Sequence, residues 1–247
     1  MNQQEDRLGR INAIVEYLHG SPQRVNKIFV QKEKGHYQLA EIIRLARENH
    51  IPVIFAPRDK LDSLCPHHQG AVALVAEKEY SRLEDLVSGE KPAFLVMLDG
   101  VEDPQNIGAI VRSAEGAGAS GLILQERHSA GLTPAVASVS AGAIHHLQVA
   151  RVTNLSRSID WLKEQGIWVV GAAGESPMRW FEFDFTLPVT IILGSEGSGL
   201  RANIRKKCDA LLSLPMLGQV KSLNVGAAAA VFFYEVVRQR LLNSQKK

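Results

Sequence analysis

Apolar residues recur at helical spacing at Ile11, Ile14, Val15 and Leu18, and again at Leu39, Ile42, Ile43, Leu45 and Ala46. This predicts two amphipathic helices early in the chain, the second over residues 38–49. His19-Gly20-Ser21-Pro22 closes the first of them. Short segments at 25–30, 51–55 and 71–75 read as strands. Helices alternating with strands make a compact αβα layer the economical arrangement for residues 8–75. The pattern breaks at 76–92, where Glu77, Lys78, Glu79, Arg82, Glu84 and Asp85 lead into Ser88-Gly89-Glu90-Lys91-Pro92. This charged stretch is the expected domain boundary. From residue 93 the alternation is stronger, with strands expected at 94–98, 121–125, 166–172, 189–193 and 211–214. Helices are expected near 107–118, 133–142, 154–165, 200–207 and 222–242. Uninterrupted apolar strands with helices between them imply a mainly parallel sheet covered on both faces. The expected organisation is a small α/β domain over 1–75, a linker over 76–92 and a larger α/β domain over 93–247.

Composition narrows the class without naming an activity. The chain has 247 residues, 45% hydrophobic and 22% charged, as in an ordinary globular protein. No run of eighteen apolar residues occurs, so no membrane helix is expected. The polar, acidic start reads against a secretory signal. Cys65 and Cys208 stand far apart in no metal-like spacing, as expected of unpaired thiols in the cytoplasm. A net charge of +2 permits nucleic-acid binding without requiring it. Arg24, Lys27, Lys32, Lys34, Arg44, Arg47, Arg58 and Lys60 form a mild basic cluster interleaved with acids. Arg201, Arg205, Lys206 and Lys207 form a second.

Candidate chemistry gathers in two glycine-rich loops. Strand 189–193 empties into Gly194-Ser195-Glu196-Gly197-Ser198-Gly199-Leu200, and strand 211–214 into Pro215-Met216-Leu217-Gly218 and on to Ser222-Leu223-Asn224-Val225. Glycine lets backbone approach a ligand closely. The first loop carries Glu196 and lacks the Gly-Lys-Ser/Thr ending of a phosphate cradle, so a nucleoside-type ligand held by backbone is expected. The dinucleotide-like Gly116-Ala117-Gly118-Ala119-Ser120-Gly121 closes a helix instead of opening one, and reads as a helix end and turn. Asp99 to Arg112 reads as a strand end, a turn at Pro104 and a helix start near Asn106, at the sheet edge where α/β proteins bind ligands. The pairs His67-His68 and His145-His146 have no partner at ligand spacing, so no metal is expected. Ser195 does not sit in G-x-S-x-G, which argues against a nucleophile elbow. The last helix is small-residue-rich at 226–230 and broadly apolar beyond. Burial within the domain and a subunit interface both fit it.

Three blocks stand together: Asn106-x-Gly108-Ala109-Ile110-x-Arg112, Gly194-x-Glu196-Gly197-x-Gly199-Leu200, and Pro215-Met216-x-Gly218 with Ser222-Leu223-Asn224-Val225. In content and order they resemble the SpoU (TrmH) family of RNA ribose 2′-O-methyltransferases, of the knotted SPOUT class. The resemblance extends over residues 8–240. Gly9-Arg10-x-Asn12-Ala13-Ile14-Val15-Glu16, His68-Gln69-Gly70, Ser140-Ala141-Gly142-Ala143 and the stretch from Leu147 to Leu155 are similar to its RlmB-type branch.

The resemblance implies a carboxyl-terminal domain with a deep trefoil knot, preceded by a small RNA-binding domain. It implies S-adenosylmethionine as cofactor and a homodimer with the site completed across the interface. Cofactor contacts carried to matching positions fall on Gly194, Leu214, Met216, Ser222 and Leu223. The catalytic arginine matches Arg112, and Asn106, Glu196 and Asn224 match conserved polar positions. The implied reaction is 2′-O-methylation of a guanosine in large-subunit, 23S-type rRNA. Methylation of tRNA and a non-catalytic RNA-binding or assembly role are the alternatives. Two positions depart from the family pattern: Gly226, where serine is common, and Ala71 after Gln69-Gly70, where a larger aliphatic is usual.

Overall fold

The structure is a computed structural model that describes residues 5–32, 37–76, 79–89, 92–127, 129 and 131–244. Its residues fall into two compact units, 1–79 with 132–146, and 80–131 with 147–247.

The first unit opens with β1 (Glu5–Leu8), α1 (Ile11–Gly20), β2 (Val25–Gln31), α2 (Tyr37–Glu48), β3 (Val53–Ala56), α3 (Arg58–Leu64) and β4 (Ala71–Ala76). Its sheet has the order β1-β4-β2-β3, in which only β2 and β3 run parallel. The helical spacing at the start of the chain forms α1, which buries Ile11, Ala13, Ile14, Tyr17 and Leu18. Ala56, Leu61, Val72 and Leu74 close a small core beneath α3. The hydrophobic pattern did not announce β1 or α3. An edge strand pairs on one side only, so the polar sequence Glu5-Asp6-Arg7 is compatible with it. Lys34 of the basic cluster lies outside the described residues, as do Glu77, Lys78, Glu90 and Lys91 of the expected linker. The described middle of that linker is not a free connector. Ser81 bridges to Ala150, and Leu86, in a 3-10 turn over Glu84–Val87, enters the core of the second unit.

The second unit continues with β5 (Phe94–Asp99), α4 (Pro104–Gly116) and β6 (Gly121–Gln125). Residues 132–146, with α5 (Pro134–Val139), belong to the first unit, where α5 packs on β1. The sequence pattern had left this segment in the larger domain. The chain then forms β7 (Val149–Val152), α6 (Leu155–Glu164), β8 (Trp168–Ala172), β9 (Val189–Gly194), α7 (Ala202–Arg205), β10 (Ala210–Leu212) and α8 (Val225–Ser244). Six strands pair in parallel in the order β10-β8-β9-β5-β6-β7, one more than expected. The additional strand, β7, is a short edge whose Arg151 side is exposed. Every residue of β5 and β9 is buried, as a sheet covered on both faces requires.

α4 packs on α8, and Phe94 meets Phe233 edge to face at 5.5 Å. Arg240 fastens the end of α8 by donating to the carbonyls of Pro92, Ala93, Phe185 and Leu187. The 116–121 glycine motif closes α4 and opens β6, with Gly118 at φ +71° in the turn. No helix among the described residues is long and apolar enough to cross a membrane. All six strands of this sheet end on one edge, and the site lies there.

Candidate functional site

A cavity of about 700 Å³ opens beyond the carboxyl ends of β8, β9 and β10. Its walls are residues 172–175, the loop 194–200, parts of 212–225 and the inner face of α8 at Ala228 and Phe232. Gly194, Glu196, Leu214, Met216, Ser222, Leu223 and Asn224, far apart in sequence, all line it.

The 194–200 wall is a tight, internally bonded loop. Ser195 N–H donates to the Gly199 carbonyl at 3.2 Å and Gly199 N–H to the Ser195 carbonyl at 3.0 Å. The two serine hydroxyls, of Ser195 and Ser198, lie 2.6 Å apart. Gly197 at φ +94° and Gly199 at φ +65° occupy conformations that disfavour side chains. A Cβ on Gly194 would fall 2.2 Å from the carbonyl carbon of Gly199. Glycine is therefore required at Gly194 for the loop to close on itself, before any ligand is considered.

Glu196, at the exposed tip, is joined to the other wall. The Asn224 side-chain amide donates to Glu196 Oε1 at 2.6 Å and to Asn106 Oδ1 at 2.8 Å. Its own carbonyl oxygen accepts from the backbone N–H groups of Gly226 at 3.0 Å and Ala227 at 3.3 Å. Capping α8 thus fixes which way the amide faces and aims both its donors at the carboxylate and at Asn106. Residues 222–224 accordingly precede α8, which the sequence pattern had begun at 222.

Asn106 is free for this because it is not the cap of its own helix. Asp103 caps α4, accepting from Gln105 N–H and Asn106 N–H at 3.2 and 3.4 Å, with Pro104 in the first turn. Asn106 itself is buried beside the pocket but does not line it. Among the described residues, Glu196 Oε2 and the Asn106 amide nitrogen have no hydrogen-bond partner and remain available.

Gly226 sits at the closest approach of α4 and α8, where a Cβ would come within 2.9 Å of the Ala109 Cβ. The departure from serine at this position therefore coincides with a tight helix contact.

Arg112 stands apart. It is exposed on α4, does not line the cavity, and makes no hydrogen bond or ion pair among the described residues. The structure gathers eight of the nine predicted residues around one site and leaves this one outside it within a single chain.

The 214–223 wall has a different character. None of its backbone groups pairs with another backbone group among the described residues. Leu214, Met216 and Leu223 line the cavity here, with Leu193, Leu212 and Phe232 behind them. This combination of apolar surface and unpaired amides suits a flat heterocycle recognised by backbone.

The sequence pattern does not single out Asp99, Gln125 or Glu175, nor does it show which acids pair with the second basic group. Arg201 is bound to Asp99, Arg205 is paired with Glu175 at the cavity wall, and Lys207 with Asp160. That group is therefore largely neutralised and is not a free cationic patch. The signal for Asp99 was present: a carboxylate ending a wholly apolar strand has to find a buried partner. His68 is occupied in a turn, with Nε2 3.1 Å from Asp62 Oδ1 and Nδ1 accepting from Gly70 N–H at 3.0 Å. Among the described residues no three His, Cys, Asp or Glu side chains are grouped as a metal ion would need.

Comparison with known proteins places this geometry. Residues 93–234 match the SpoU rRNA Methylase family, and residues 11–81 match the RNA 2′-O ribose methyltransferase substrate binding family. The chain is 42% identical to the putative TrmH family tRNA/rRNA methyltransferase YacO of Bacillus subtilis, covering 97% of this chain and 98% of that one. It is 41% identical to the 23S rRNA (guanosine-2′-O-)-methyltransferase RlmB of Coxiella burnetii, covering 93% and 94%. Its fold is similar to that of the SpoU methyltransferase AviRb from Streptomyces viridochromogenes in complex with the cofactor AdoMet, with a TM-score of 0.79 at 29% identity over 96% of this chain and 91% of that one. With residues 93–234, more than half of the chain, matched by the family and near-full-length relatives above 40% identity, this chain belongs to the SpoU rRNA methylase family.

Proposed function

We propose that the protein is an S-adenosylmethionine-dependent RNA ribose 2′-O-methyltransferase that modifies a guanosine of large-subunit rRNA. The observation that carries this is the meeting of a backbone-lined cavity with the Glu196–Asn224–Asn106 constellation that joins its two loops. The residues present fit the cofactor. Unpaired backbone at Leu214, Met216 and Leu223 would hold the adenine edge, and the bare backbone of Gly194 admits close approach. When bound, S-adenosylmethionine supplies a methyl group on a sulfonium centre, which is electrophilic without further activation.

The chain's residues then have two tasks: to align the ribose 2′-oxygen and to stabilise it as its proton passes to solvent water. Alignment alone can supply several kcal/mol of the barrier. Glu196, Asn106 and Asn224 order the two loops and hold the ribose in place. The Arg112 guanidinium stabilises the developing alkoxide electrostatically. Because Arg112 lies outside its own chain's cavity, it serves the site of a second protomer in a homodimer. The exposed apolar side chains of Val231, Tyr234 and Leu241 on α8 provide a face for that partner. The first unit, over the proposed domain 1–75, selects the RNA. The trefoil knot and a cytoplasmic location belong to the same reading.

Transfer of labelled methyl to purified rRNA and tRNA tests it. Incorporation at a guanosine 2′-oxygen of large-subunit rRNA is expected. Exclusive incorporation into tRNA would redirect the substrate, and none into any RNA would overturn the enzyme. Mixing inactive Arg112→Ala and Asn224→Ala chains should restore activity in mixed dimers, since one of the two sites in each regains both residues.

A further inference from the structure

The loop that presents Glu196 leaves the sheet at Gly194 and returns at Arg201, and both ends are tied to one residue. Asp99, at the end of central strand β5, is the register partner of Gly194 on β9. Its carboxylate accepts from the backbone N–H of Arg201 at 2.8 Å through Oδ2, and from Arg201 Nε at 2.5 Å through Oδ1. The same guanidinium reaches Gln125 Oε1, at the end of the neighbouring strand β6, at 2.7 Å. Asp99 is 1% exposed. A carboxylate that deep is tolerated only when both oxygens are bonded, so its position and that of Arg201 fix each other.

The loop between these anchors has little freedom of its own. The Ser195–Gly199 backbone pair closes it, and Gly194 packs so closely on Gly199 that a Cβ there would clash with its backbone. Any movement of Arg201 is therefore passed to the tip, where Glu196 Oε1 receives the Asn224 amide at 2.6 Å.

We infer that Asp99 is a positioning residue for methyl transfer, acting through Arg201 to hold Glu196 on Asn224. This rests on the reading of Glu196 as part of the transfer site. Asparagine at Asp99 keeps the shape but presents one acceptor and one donor, so the backbone N–H or the guanidinium of Arg201 loses its partner.

The full-length protein, labelled with 15N-asparagine, reports the contact through the Asn224 side-chain amide, identified by its loss in Asn224→Ala. In Asp99→Asn that resonance should move toward its position in Glu196→Ala. Turnover should fall roughly tenfold or more, with KM for RNA unchanged. In the Glu196→Ala background the same change should cost less than about twofold, because residues acting as one unit are non-additive. An unmoved resonance in Asp99→Asn, or effects that multiply, would overturn the proposal while leaving Glu196 in its role. Full activity in Glu196→Ala would remove the reading of Glu196 and this proposal with it. Should Asp99→Asn fail to fold, Arg201→Gln breaks the same ion pair at a side chain that is 42% exposed.

Discussion

The two walls of the cavity are both glycine-bearing loops beyond parallel strands, yet they are built on opposite plans. The 194–200 wall is closed by the reciprocal Ser195–Gly199 backbone pair, excludes a Cβ at Gly194 and is anchored at Asp99. Among the described residues the amides and carbonyls of the 214–223 wall have no backbone partners, and Leu217 at its tip is 98% exposed. Gly218 on that wall has nothing within 4 Å of where a Cβ would be. The two walls divide the labour. One wall is preorganised and holds a charged side chain at a set place. The other keeps unsatisfied backbone groups that a ligand can satisfy.

The same methyl group placed on each wall should have unequal consequences. Gly194→Ala should force the first loop open, at an overpacking cost of ~1–3 kcal/mol. Cofactor affinity measured by calorimetry should fall roughly tenfold or more, while RNA binding in a gel-shift assay stays close to wild type. Gly218→Ala should change cofactor affinity by less than about twofold, as surface changes that meet no neighbour usually do. Equal losses from the two substitutions would end the distinction.

A smaller effect is expected at the junction of α4 and α8. Gly226→Ser would push its Cβ against Ala109 and crowd the Asn224 carbonyl oxygen, 3.2 Å from that Cβ. Activity should fall by about threefold to tenfold with a modest drop in Tm, consistent with ~1 kcal/mol of strain. Unchanged activity would show that the helices part easily and that Asn224 does not depend on their contact.

The mildest test uses Cys208, which packs against the same region as Leu200: a Cβ on Gly171 would meet both side chains. Burial, and then the nearby Asp209 carboxylate, push its thiol up to about 11. At pH 8 the thiol is therefore protonated, and iodoacetamide should leave it unmodified in the folded protein and label it after denaturation. Rapid labelling of Cys208 in the native state would mean that the ground beneath the first wall opens readily.

Much of the fold was legible because burial on two faces leaves an unambiguous mark. β5 and β9 are apolar throughout apart from Thr190 and the ends at Asp99 and Gly194, and they were found almost to the residue. β1 and β7 were missed because edge strands need no such run. The segment 132–146 was assigned by position along the chain, whereas its contacts place it with the first unit. For the site, the glycine loops and Asn224 stood out through residue type. The capping of α4 did not: Asp103 and Asn106 are both good caps, and only the backbone path decides between them.

By itself the sequence determined the alternation of strands and helices, the parallel character of the larger sheet and the family to which its motifs belong. These follow from periodicity, residue volume and short motifs, all of which are local properties of the chain. Tertiary structure alone decided that Asn106 and Asn224, 118 residues apart, share a hydrogen bond, and that Arg201 is held by Asp99 across 102 residues. It also decided that Arg112 lies outside its own chain's cavity. Such pairings depend on strand order and on which way each helix face turns, and no local pattern carries that information.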